Sequence, residues 1–110
     1  MQNPFIQEQC KCIEAGVHIE ELLSMLRYYA AMVGETGGSI RKRLSVSDMP
    51  KMLREDLKKI EGCGIKIPAD MAGFVKDIET SIEDDDENKL YGAVDIAESR
   101  FKTAIDDSCK

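Results

Sequence analysis

The chain has 110 residues, a net charge of -6 and a 43% apolar share, which fits one domain over residues 1–110 with a core of its own. Apolar residues at regular steps exclude a disordered polyelectrolyte. The longest uncharged helical run, residues 28–34, falls far short of the roughly 20 apolar residues that cross a bilayer. Residues 1–20 hold Glu8, Lys11 and Glu14 and lack the apolar centre of a signal peptide, so the expectation is a cytoplasmic protein whose four cysteines are reduced thiols.

Charge is unevenly placed. Residues 1–40 sum to -3, residues 41–66 to +4 and residues 67–110 to -7. A basic middle followed by an acidic end favours packing of the two side by side, and the acidic total disfavours nucleic acid as a partner.

Asn3 and Pro4 suit a helix start, with proline where its missing N–H costs nothing. Phe5, Cys12, Ala15, Ile19, Leu22, Leu26, Ala30 and Val33, with Leu23 beside them, recur at steps of three, four and seven. That stripe predicts a helix over 4–33, ended by Gly34. A second stripe of Ile6, Cys10, Ile13 and Val17 lies on nearly the opposite side of the first half. Two apolar faces need two partners. The second is either another copy of the chain or the loop around Ile40 and Leu44, folded back.

Ser47 or Asp48 caps a second helix over 48–61, with Met49, Met52, Leu53, Leu57 and Ile60 inward and Gly62-Cys63-Gly64 as its stop. Ile65 and Ile67 are placed to plug the end of a bundle. Pro68 opens a third helix over 69–83, whose stripe is Met71, Phe74, Val75, Ile78 and Ile82. The acids of 84–88 suit the positive N-terminus of a fourth helix over 87–107, with Leu90, Ala93, Val94, Ala97, Phe101, Ala104 and Ile105 inward. Four helices on short loops predict an all-α, antiparallel four-helix bundle with a long first helix that overhangs the others.

Several side-chain groups carry chemistry by type. Glu14, His18 and Glu21 share a helical face beside Cys10, a spacing able to hold a metal. A di-iron bundle needs two Glu-x-x-His pairs, however, and this chain has one histidine, so these residues read as a solvated charged flank. Cys10 and Cys12 point about 200° apart on a helix and share no ion. Arg41, Lys42, Arg43, Lys51, Arg54 and Lys58 form the only basic patch, suited to a phosphate or an acidic partner. No aromatic side chain is interleaved to stack bases.

Glu20 and Glu21, Glu79 and Glu83, and Asp95 with Glu98 are acidic pairs on three helices. They loosely resemble the all-α nucleoside triphosphate pyrophosphohydrolases of the MazG type, with Ser24 at the place of a third glutamate and the second motif reversed. The resemblance implies Mg²⁺ held by Glu20, Glu21, Asp95 and Glu98. Leu22 to Gly34 followed by Arg54-Glu55 also resembles helical chorismate mutases, which bind a dicarboxylate between basic side chains, although Cys10 stands where an arginine belongs.

No reactive group comes with both a base and an orienting partner in sequence, so no catalytic residue, metal or cofactor is assigned. The leading reading is a non-enzymatic helical interaction module, a homodimer through Ile6, Cys10, Ile13 and Val17. The alternatives are a Mg²⁺-dependent small-molecule enzyme and an acidic inhibitor that fills another protein's nucleic-acid groove.

Overall fold

The computed structural model describes the backbone of residues 4–40, 42 and 46–108, with side chains described from Ile13 to Asp106 among them. Four helices make the fold: α1 (Pro4–Thr36), α2 (Met49–Gly62), α3 (Met71–Glu83) and α4 (Glu87–Ser108), with one 3₁₀ turn at Val46–Asp48 ahead of α2. No strand occurs among the described residues.

Neighbours in the bundle run antiparallel. His18 meets Asp56 and Gly16 meets Ile60, so α1 rises as α2 falls. Arg27 meets Asp95, whereas Glu20 lies beside Phe101, which sets α1 against α4 in the same sense. Each of α1 and α3 packs on both α2 and α4. The predicted antiparallel four-helix bundle is the observed one.

The first stripe of α1 is the heart of the core: Ala15, Ile19, Leu22, Leu23, Leu26, Ala30 and Val33 are all buried. Leu53, Leu57 and Ile60 of α2, Val75, Ile78 and Ile82 of α3, and Leu90, Val94, Ala97 and Phe101 of α4 close on them. Ile65 and Ile67 pack against this core partly buried, as end plugs.

Two boundaries differ from the sequence reading. α1 runs through Gly34 to Thr36, because an exposed glycine costs a helix only about 1 kcal/mol. Its stop is Gly37, at φ +72°, whose N–H donates to Val33 O at 2.8 Å. Pro68 lies three residues ahead of α3, since Ala69 and Asp70 form a turn closed by Met71 N–H on Pro68 O at 3.1 Å.

α1 is about 50 Å long and α4 about 33 Å at the usual helical rise. Gly34 near the end of α1 faces Glu87 at the start of α4, so the two are flush there. The surplus length of α1 falls at its N-terminal end, consistent with molecular extents of 52 × 26 × 18 Å.

Candidate functional site

The apolar stripe of α2 carries one charge. Asp56 sits between Leu53 and Ile60 on the inward face and is 4% exposed. An unpaired carboxylate there would cost several kcal/mol. His18, one face round from the α1 core stripe, answers it: its Nδ1 donates to Asp56 Oδ2. Lys59, one turn on from Asp56, brings Nζ to 4.0 Å from the other oxygen, Oδ1.

Glu14 and Glu21 are exposed, as the reading of a solvated flank expects, and His18 departs from that reading in its pairing. Half of the imidazole is covered, and its partner is a buried carboxylate 38 residues away. A carboxylate only accepts, so it holds the imidazole hydrogen on Nδ1 and leaves Nε2 as the second ring nitrogen. Glu14, Ala15, His18, Asp56, Lys59, Gly62 and Cys63 line a cavity of about 620 Å³ at this seam. Glu21 lies apart, beside Val17 and Met25.

Cys63 is disulfide-bonded, to a partner outside the described residues, which corrects the expectation of a reduced thiol at this position. Cys10, Cys12 and Cys109 have side chains outside the described residues.

The second apolar stripe is uncovered where it is described. Ile13 is 65% and Val17 48% exposed; the side chains of Ile6 and Cys10 lie outside the described residues. Beside the Ile13–Val17 ridge runs a groove of about 260 Å³, floored by Gly16, Ile65, Phe101 and Ile105. The fold-back alternative fails at Ile40. That residue is buried, and its N–H donates to Asp85 Oδ1 at 2.7 Å in the α3–α4 connection. Leu44 lies outside the described residues.

One member of the basic patch is held in an ion pair. Arg54 makes two hydrogen bonds to Glu79 of α3, at 2.9 and 3.3 Å. Those bonds, with the attraction between the charges, hold the Glu79 carboxyl below the usual range and push the Arg54 guanidinium up. Lys42, Lys51 and Lys58 are exposed and have no ion pair among the described residues. The side chains of Arg41 and Arg43 lie outside the described residues.

The acidic residues fall in two places, with Glu20, Asp95 and Glu98 at the α1–α4 seam and Glu79 and Glu83 on α3. Arg27 of α1 reaches across to α4, with Nη2 3.0 Å from Asp95 Oδ1 and Nη1 3.2 Å from Glu98 Oε2. Its guanidinium also stands 5.8 Å from the centre of the Tyr91 ring. Glu20 approaches Glu98 in a small groove with Ser24 and Lys102, Glu79 is held by Arg54, and Glu83 is exposed. Among the described residues no group of three or more histidines, cysteines or acids is placed to hold a metal ion. Nor is any helix among them long and apolar enough to cross a membrane.

Comparison of the chain with protein-family models, curated proteins and solved structures finds no match.

Proposed function

We propose that the protein is a helical interaction module that associates with a second copy of itself through the N-terminal half of α1. The observation that supports this is the ridge of Ile13 and Val17, 65% and 48% exposed, lying directly beside an apolar groove. Covering a large aliphatic side chain is worth about 1.5–3 kcal/mol, and helical ridges find their natural seat in grooves of this kind. A ridge next to a groove on one face is self-complementary. Under a two-fold axis each copy's ridge enters the other's groove, and the same patch serves both partners. Gly16, between the two ridge residues, helps to line that groove. Ile6 and Cys10 extend the same stripe in the sequence.

The disulfide at Cys63 supports placement in an oxidising compartment over the cytoplasm expected from composition, since cytosolic thiols are kept reduced. Sedimentation of the wild type and of Ile13→Glu tests the association. The expected result is a wild-type dimer and a monomeric variant with unchanged helicity by circular dichroism. A wild type that is monomeric at high concentration, or a dimer that survives the charge, overturns the reading.

A further inference from the structure

The α1–α2 cavity is distinct from the proposed dimer face and carries an inference of its own. A buried ion pair is a poor stabilising device: replacing one with apolar residues of similar volume is often neutral or stabilising by about 1–4 kcal/mol. Asp56 nevertheless stands on the inward face of α2, flanked by Leu53, Leu57 and Ile60. Its position is explained by what its two oxygens hold. Oδ2 fixes the half-exposed His18 ring, and Oδ1 lies 4.0 Å from the Lys59 ammonium. Both groups line the same cavity, whose volume of about 620 Å³ falls within the range of small-molecule sites.

We propose that this cavity binds a small hydroxy acid with an apolar side group. The Lys59 ammonium takes the carboxylate. It is 66% exposed, and its nearest acid, Asp56, already serves His18. Nε2 of His18, the ring nitrogen not engaged by Asp56, hydrogen-bonds the hydroxyl, which can donate or accept. Imidazole and ammonium line the same cavity, so one ligand with two polar groups can meet both. The apolar group lies against Ala15, the glycine at position 62 and the bonded sulfur of Cys63, none of them charged. Among the described residues Glu14 is the other acid that lines the cavity. It is exposed, so water screens its repulsion of the ligand carboxylate, and it disfavours ligands of higher negative charge.

His18 is the only histidine of the chain, so the imidazole spectrum in nuclear magnetic resonance reports this cavity alone. The experiment titrates the full chain with mandelate, with phenylacetate, which lacks the hydroxyl, and with benzyl alcohol, which lacks the carboxylate. Mandelate is expected to shift the His18 signals saturably, and the other two to bind about tenfold more weakly, the worth of one lost polar contact. Lys59→Met, its fold checked by circular dichroism, is expected to weaken mandelate by a similar factor. The proposal is overturned by the absence of a saturable shift with mandelate, by equal binding of all three compounds, or by a Lys59→Met variant that binds mandelate as the wild type does. The ratio between compounds is unaffected by whether the chain is a monomer or a dimer, so this test stands apart from sedimentation.

Discussion

His18 of α1 and Asp56 of α2 are joined side chain to side chain at the seam of two antiparallel helices, and the pair places a carboxylate inside an otherwise apolar stripe. Among the described residues, removing the imidazole leaves that carboxylate with the more distant Lys59. His18→Ala is therefore expected to destabilise the fold by about 2 kcal/mol, less than the 3–5 kcal/mol of a fully enclosed pair because one side is open to water. Asp56→Leu is expected to be neutral or stabilising, since it removes the charge and adds apolar volume. Urea denaturation of the two variants checks this. A His18→Ala protein within about 0.5 kcal/mol of the wild type would contradict the pairing.

The helices and their inward faces were readable in the sequence because a helical stripe is a local signal, repeated every three or four residues. Leu22, Leu26, Ala30 and Val33 announce one another. Asp56 does not announce itself. A charge is by type a solvent-side residue, and the partner that makes the burial of this one tolerable lies on another helix. Its position, three after Leu53 and four before Ile60, was the available signal. The pairing of Arg54 with Glu79 and of Arg27 with Asp95 and Glu98 was hidden for the same reason: it depends on the register between helices, which no single stripe encodes. The Ile13–Val17 ridge was legible as a second face, and its exposure follows from its lying on a side of α1 turned away from the buried Ala15, Ile19 and Leu22.

Arg54 and Glu79 predict an acid-range dependence of stability. The hydrogen bonds from Arg54, then the attraction of its charge, lower the Glu79 pKa in the fold. A carboxyl with a depressed folded pKa contributes stability that is fully present above its unfolded pKa and is lost as pH falls through the folded one. The raised Arg54 pKa lies far above this window and adds nothing to it. The stability gap between wild type and Glu79→Gln is therefore expected to be larger at pH 7 than at pH 3. Both residues are substantially exposed, so the gap should also shrink in high salt. A gap that is constant across this pH range would show that the pair is not formed in solution.

The Cys63 disulfide predicts a redox-dependent melting temperature. The three other cysteines, at positions 10, 12 and 109, would each close a loop of about 50 residues with Cys63, so the entropic gain is similar whichever is the partner, about 4 kcal/mol in the chain-entropy account. Cys63→Ser and wild-type protein treated with a reductant are expected to melt at the same temperature, below that of oxidised wild type. Peptide mapping without reduction identifies the partner. Oxidised wild type that melts with Cys63→Ser would deny the bond a stabilising part.

Asp85 predicts an order among the wild type and three variants of one position. It adopts φ +54°, a left-handed conformation that side chains rarely take, immediately after α3. What holds it there is a clamp on the connection between α1 and α2. Its Oδ1 accepts from the Ile40 N–H at 2.7 Å and its Oδ2 from the Ser39 hydroxyl at 2.7 Å. Ile40 is fully buried, so its N–H has little access to water if the carboxylate is removed, and an unmet buried donor costs about 1–3 kcal/mol. Asp85→Asn keeps an oxygen for the Ile40 amide and tolerates the conformation almost as well, so it should lose least. Asp85→Gly relieves the backbone but abandons both bonds, and Asp85→Ala abandons both bonds while keeping the strain. The expected stability order is Asp, Asn, Gly, Ala, with alanine about 2–4 kcal/mol below wild type once the strain of about 1 kcal/mol is added to the lost bonds. Thermal or urea melts of the four proteins decide it: glycine above asparagine would make backbone strain dominant, whereas four equal melts would mean that Ile40 is held by its apolar neighbours alone.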